Sequence, residues 1–197
     1  MTHMRRWITV VMMVVLFAFM AHSQNIPRFQ AALDYRFSLG LTQSALGQVV
    51  KYSDNSMHGN SINLTGLWNI NNAFSSGVGI GFTTYSYAPN VLPIFATFRY
   101  RPFSKTKYKS VYTFSNIGYS FGSDNDRALS SGFLCDVGIG WQKMFYRHFG
   151  INFQMGYELK QFRVPGHGEW DADMEVFPEF KFNMWRNSIF FGFGLLF

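Results

Sequence analysis

In one stretch after another of this chain every second residue is apolar, and that period of two limits what it can fold into more than any other feature. From Phe29 the odd positions read Phe29, Ala31, Leu33, Tyr35, Phe37 and Leu39, while Arg28, Gln30, Ala32, Asp34, Arg36, Ser38 and Gly40 fill the even ones. Successive side chains of a strand face opposite sides, so such a stretch reads as a strand with one apolar and one polar or small face. The pattern returns at Phe133, where Cys135, Val137, Ile139 and Trp141 alternate with Asp136, Gly138, Gly140 and Gln142. It returns at Phe149, with Ile151, Phe153, Met155, Tyr157 and Leu159 against Gly150, Asn152, Gln154, Gly156, Glu158 and Lys160. It closes the chain, with Ile189, Phe191, Phe193, Leu195 and Phe197 against Ser188, Gly192 and Gly194. Weaker copies cover 62–70, 78–82, 94–100, 111–121 and 176–184.

Where the apolar faces go is a question of composition. Aromatic residues make up 19% of the chain and charged residues 14%, against about 25% charged in ordinary soluble domains. The one long apolar run is at the start. Arg5 and Arg6 precede the stretch from Trp7 to Met20, and Ala21, His22 and Ser23 follow it. This is the layout of a secretory signal peptide over 1–23, with cleavage expected before Gln24. The run is short for a membrane anchor, which needs ~20 apolar residues. Loss of Arg5 and Arg6 lowers the formal charge from +6 to +4. The remaining cations are scattered, so no nucleic-acid partner is expected. Cys135 is the single cysteine, which excludes a disulfide within the chain.

An exported chain this apolar, without a helical span, is expected to face lipid with strands. Segments of about ten residues suit transmembrane strands. Lipid satisfies no backbone hydrogen bonds, so the sheet must close. The rival is a soluble barrel with its bulky set inside. An interior of about eight strands has little room, which favours bulky residues outside and small or polar ones within. The expected fold is therefore all-β, an antiparallel up-and-down transmembrane barrel over 24–197.

The terminal strand, alternating aromatic residues and ending on Phe197, resembles the assembly signal of the small bacterial outer-membrane β-barrel family of eight-stranded type. The stretches Trp68-Asn69-Ile70-Asn71-Asn72-Ala73-Phe74 and Met144-Phe145-Tyr146-Arg147-His148-Phe149-Gly150-Ile151 are similar to the periplasmic turns of that family. The resemblance implies a place in the cell outer membrane, contact with its lipids, and recognition of the Phe197 strand by the outer-membrane assembly machinery. It carries no catalytic motif and no cofactor.

The strand count holds a conflict. Nine alternating segments are present, whereas bacterial barrels of this kind have even numbers. Eight strands are expected, with the segment from Met174 to Met184 assigned to a long outer loop or hairpin extension. Ten is the alternative, with 45–52 as an added strand. The longer connections, 41–60, 85–91, 122–131 and 163–173, are expected outside. The shorter ones, near Asn71, Lys105, Arg147 and Arg186, are expected inside.

Charges on the inward parity are Asp34, Arg36, Arg99, Arg101, Asp136, Glu158, Lys160, Glu179 and Lys181. Both signs are present, which suits a salt-bridged plug better than an open pore, since a buried charge is costly unless paired. Gly77-Val78-Gly79-Ile80-Gly81 has the period of a strand, not of a phosphate-binding loop, and is expected to line the crowded inner face. Tyr85, Tyr87, Tyr100, Tyr119 and Trp141 suit an aromatic girdle. The loop 165–171 offers His167, Glu169, Trp170 and Asp171 as candidate binding residues on a rigid scaffold. His58 and His167 have no zinc spacing, so no metal is expected. No G-x-S-x-G elbow is present, and no enzymatic role is expected. These features point to a structural or surface-interaction protein that carries outer loops on a plugged barrel and meets an unidentified external ligand. A small passive pore is the alternative, and a lipid-modifying enzyme stands third.

Overall fold

A computed structural model of the chain describes residues 28–45, 48–51, 57–71, 73–86, 90–102, 109–122, 132–146, 149–167 and 179–197. The leader 1–23 and its cleavage site lie outside them. Nine strands are described: β1 Phe29–Ala45, β2 Gln48–Lys51, β3 His58–Asn69, β4 Phe74–Tyr85, β5 Val91–Tyr100, β6 Lys109–Gly122, β7 Gly132–Tyr146, β8 Phe149–His167 and β9 Glu179–Leu196. All except β2 form one antiparallel up-and-down barrel, each strand pairing with the next and β9 returning to β1. The closing ladder runs from Ala32↔Leu196 to Ala45↔Met184. Beyond it, Phe197 and Ala31 exchange backbone hydrogen bonds of 2.9 and 3.0 Å. Closure leaves no open edge around the barrel, so the backbone polar groups are satisfied without water.

Alternation sets the two faces. On β1, Leu33, Tyr35 and Phe37 are exposed on the outside while Ala32, Asp34 and Arg36 are buried within. The same division holds on β3 through Ile62 and Leu64, on β4 through Val78 and Ile80, and on β8 through Phe153 and Met155. The outer wall is thus an apolar band around the whole barrel, far larger than the few hundred Å² that soluble monomers expose in one patch. Gly79 and Gly81 do lie on the inner side. A Cβ on Gly79 would run into the Phe95 ring, and one on Gly81 into the Asn63 amide.

Both barrel ends have a local cause. At one end, here the turn end, β3 and β4 are joined through Asn71, whose Oδ1 accepts from the backbone N–H of Ala73 and of Phe74 at 2.8 and 2.7 Å. This is the side-chain turn that Asn favours. Both ends of the barrel sequence also lie here, with Phe29 opposite Trp68. At the other end, the loop end, one side of the barrel continues further. The last β1–β3 pair is Leu39↔His58, yet β1 runs on to Ala45. There it pairs with β9 on one side and with β2 on the other, from Thr42↔Lys51 to Ala45↔Gln48. The β8–β9 ladder runs on to His167↔Glu179. Four strands, in the order β2-β1-β9-β8, therefore make a projecting wall.

Eight barrel strands resolve the parity conflict, and they correct two expectations. No turn exists near Arg186: 179–184 and 188–196 belong to the single strand β9, whose beginning is the hairpin extension of the β8–β9 ladder. Residues 45–52 do not add a barrel strand. They contribute the short β2, and the expected loop 41–60 is in part strand.

Candidate functional site

The lumen gathers the chain's buried charge. Asp34, Arg36, Arg99, Arg101, Asp136, Glu158 and Lys160 are all buried, each from a strand or strand end whose even or odd parity turns it inward. Arg186 joins them with 1% of its surface exposed. Five cations thus stand against three carboxylates.

At the loop end an apolar cap of Tyr85, Val91, Phe162 and Met184 crosses the lumen. Tyr85 and Phe162 meet edge to face at 5.5 Å. Beneath the cap Lys160 Nζ lies 3.2 Å from Glu158 Oε2 and donates to the Tyr85 hydroxyl at 2.6 Å. That hydroxyl donates in turn to Glu158 Oε1 at 3.0 Å. The Arg186 guanidinium sits 4.6 Å from the centre of the Tyr85 ring. None of its nitrogens has a hydrogen-bond partner among the described residues, so the ring face is what meets its charge.

Half-way down, Arg36 Nη1 pairs with Asp136 Oδ2 at 3.1 Å and Nη2 donates to Gln154 Oε1 at 2.9 Å. Asn116 donates to the same Asp136 oxygen at 3.1 Å. Tyr112, Phe114 and Phe190 form a second buried aromatic layer, and Arg36 lies 4.8 Å above the Phe190 ring. Between the two layers, a chamber lined by Arg36, Ser61, Asn63, Phe95, Asp136, Glu158 and Lys160 has room for about one water. Nearer the turn end, Asn152 donates to Asp34 Oδ1 at 2.8 Å and accepts from the Tyr112 hydroxyl. Arg99 Nη2 stands 4.0 Å from Asp34 Oδ2 and over the Tyr112 ring at 5.0 Å. Arg101 donates to Asn69 Oδ1 at 3.2 Å.

Chemically this is a cross-linked plug. Each carboxylate is held by at least one cation from another position, and the guanidinium groups of Arg36, Arg99 and Arg186 lie on ring faces. Among the described residues no group of three or more His, Cys, Asp or Glu could hold a metal ion.

Several sequence expectations are displaced. Tyr85 belongs to the plug and not to an outer girdle, because it follows Phe82 by three residues and so has the opposite parity. Tyr100 and Tyr119 are exposed on the outer wall, and Trp141 packs there against Phe153 at 5.9 Å. Tyr87 lies outside the described residues. The backbone of Glu179 and Lys181 lies on the β8–β9 extension beyond Met184, where β1 no longer pairs, and their side chains lie outside those described. The interior is also less uniformly small than composition suggested. Phe95, Tyr112, Phe114, Phe162, Phe190 and Arg186 were missed, although parity marks every one of them as inward. Of the loop candidates, His167 ends β8 opposite Glu179. Glu169, Trp170 and Asp171 lie outside the described residues.

No protein-family model matches the sequence. No curated protein matches it either. Solved structures of similar shape exist. The outer membrane protein OprG from Pseudomonas aeruginosa is 13% identical, covering 86% of this chain and 95% of its own, with a TM-score of 0.49. Neisserial surface protein A is 15% identical over 85% of this chain and 95% of its own, with a TM-score of 0.47. Ail, the attachment invasion locus protein of Yersinia pestis, solved with the heparin analogue sucrose octasulfate, is 12% identical over 86% and 99%, with a TM-score of 0.41. At these values the likeness is one of general shape, and the eight-stranded closure rests on this chain's own pairing.

Proposed function

We propose that the chain is an exported outer-membrane protein, freed of its leader 1–23, that holds a recognition surface on a closed barrel. The observation that carries this reading is the filling of the lumen by two buried apolar layers and three ion-paired carboxylates, with a chamber between the layers that has room for about one water. A barrel plugged in this way would act at its rim. The rim is uneven, because the β2-β1-β9-β8 wall projects and ends at His167 and Glu179, on either side of the segment that carries Glu169, Trp170 and Asp171. An unidentified external ligand is assigned to that segment. The outer-membrane lipids are assigned to the apolar wall, and the assembly machinery to β9 and the Phe197 that follows it. No catalytic, metal or cofactor role is proposed.

Replacing 166–171 with a Gly-Ser loop tests the reading. Binding of cells expressing the protein to host-cell or matrix surfaces is expected to disappear, while the folded band on unboiled gels persists. Unchanged binding would reject the assignment. A monomer stable in buffer without detergent would reject the membrane reading itself.

A small pore is the second reading, favoured by the surplus of cations over carboxylates in the lumen. Steady single-channel conductance of the unaltered protein in planar bilayers would favour it over the plug.

A further inference from the structure

The loop-end half of the lumen does not balance its charge. Between the Tyr85, Val91, Phe162 and Met184 cap and the Tyr112, Phe114 and Phe190 layer lie the cations Arg36, Lys160 and Arg186 and the carboxylates Asp136 and Glu158. Arg36 takes Asp136 at 3.1 Å and Lys160 takes Glu158 at 3.2 Å. Arg186 is the cation left over. It is buried, and none of its nitrogens has a hydrogen-bond partner among the described residues. Its ladder neighbours are Lys160 on β8 and Gln43 on β1, neither of them an acid. A buried charge is costly unless an opposite charge meets it. The Tyr85 ring face beside the guanidinium attracts it through a quadrupole but carries no net charge to neutralise it.

The chamber with room for about one water lies in this same half, and its lining holds more unused donors than acceptors. Arg36 Nε has no partner. Lys160 Nζ carries three protons, of which Glu158 and Tyr85 take two. Ser61 Oγ accepts from Asn63 at 3.4 Å, which leaves its own proton to give. Against these stands Asp136 Oδ1, an acceptor without a partner on a carboxylate that Arg36 already neutralises. A water in the chamber would bond to some of these groups and leave the net charge as it is. A halide ion is only a little larger than a water, accepts from all three donors, and supplies the missing charge.

We propose that the chamber is a binding site for a single monovalent anion of halide size, held by Lys160, Arg36 and Ser61, which offsets the charge of Arg186. The ion is part of the plug: it is enclosed between the cap and the aromatic layer and neutralises the loop-end half of the lumen. The space excludes larger oxyanions and carboxylic acids. The site goes beyond the rim assignment above and is independent of it.

Bromide is the probe, because its anomalous scattering separates it from water. The unaltered mature protein is refolded in detergent and crystallised in sodium bromide. An anomalous peak is expected in the chamber, within hydrogen-bond reach of Lys160 Nζ and Arg36 Nε. Density there without anomalous signal is water and overturns the proposal, as do bromide peaks confined to the outer surface. Thermal unfolding is the second measurement. An ion bound by the folded state alone stabilises it, and gluconate is too large for the chamber. The unaltered protein is therefore expected to unfold several degrees higher in sodium chloride than in sodium gluconate of equal ionic strength. R186M removes the surplus charge and is expected to lose this chloride advantage. R101M, whose cation belongs to the turn-end half, is expected to keep it. No chloride advantage in the unaltered protein, an equal advantage in R186M, or an equal loss in R101M and R186M overturns the site and leaves the plug and the rim reading standing. If R186M fails to fold, the bromide peak of the unaltered protein decides alone.

Discussion

A single buried side chain in this barrel is judged by what it leaves behind when removed. Asp136 accepts from Arg36 and from Asn116, and all three are buried. Asp136→Ala strands the Arg36 charge in the lumen with only Gln154 and two ring faces to meet it. Breaking a buried ion pair by removing one partner costs about 3–5 kcal/mol. Equilibrium urea unfolding in phospholipid vesicles should show a loss of that order. Arg36→Met added to Asp136→Ala should recover part of it, because the stranded charge is then gone. A double variant as weak as the sum of the singles would refute the coupling. At this scale the sequence was readable wherever parity was followed. Asp34, Arg36, Asp136, Glu158 and Lys160 were placed by their alternation alone. The aromatic identity of Tyr85 points to an outer girdle but its position in β4 turns it inward, and Phe190 is a bulky ring on the inward parity of a strand that otherwise alternates cleanly. In a barrel, which face a residue takes is fixed by the pleat, and side-chain chemistry adapts to that face: the Tyr85 hydroxyl finds Glu158 and Lys160.

The elements were harder to bound than to recognise. β9 read as two segments because Arg186, Asn187 and Ser188 interrupt the apolar run and resemble a turn. Arg186 and Ser188 are polar because they face the lumen, and Asn187 because it bridges Tyr157 and Thr42 on the outside. Nothing in local composition separates such a stretch from a turn. What decides is the neighbouring strands, which continue their ladders through it, Lys160↔Arg186 on one side and Gln43↔Arg186 on the other. The β3–β4 connection was legible for the opposite reason, since its cause is local. Asn71→Ala removes two hydrogen bonds from that turn, and at roughly 0.5–1.5 kcal/mol each the barrel should lose about 1–3 kcal/mol. Asn71→Asp, which keeps the accepting oxygen, should lose much less. Unfolding midpoints of the two variants in the same detergent check this, and equal losses would mean that the side-chain turn contributes nothing.

For the molecule as a whole, closure follows from two constraints that the sequence does carry: apolar faces on every strand, and no water outside to satisfy an open edge. What lies inside the closed wall was only partly legible, because the filling of a lumen depends on which side chains from distant strands meet at one height. Phe114 on β6 and Phe190 on β9 meet at 6.1 Å, though sequence separation gives no hint of it. Together with Tyr112 they close the lumen below the Arg36–Asp136 pair. Removing both rings should therefore do more than destabilise. Phe114→Ala with Phe190→Ala leaves Arg36 without the ring faces it rests on and opens space below the chamber. The Tyr85, Val91, Phe162 and Met184 cap still blocks the loop end, so this double variant alone should remain silent in planar bilayers. Adding Phe162→Ala breaches both layers, and the triple variant should conduct in brief openings. With Arg36, Arg99, Arg101, Lys160 and Arg186 outnumbering Asp34, Asp136 and Glu158 along the path, reversal potentials in a salt gradient should show anion preference. Cation-selective openings would contradict the charge balance of the lumen. Conductance from the double variant would mean that the loop-end cap is not a barrier, and the aromatic layer around Phe190 would then be the single seal.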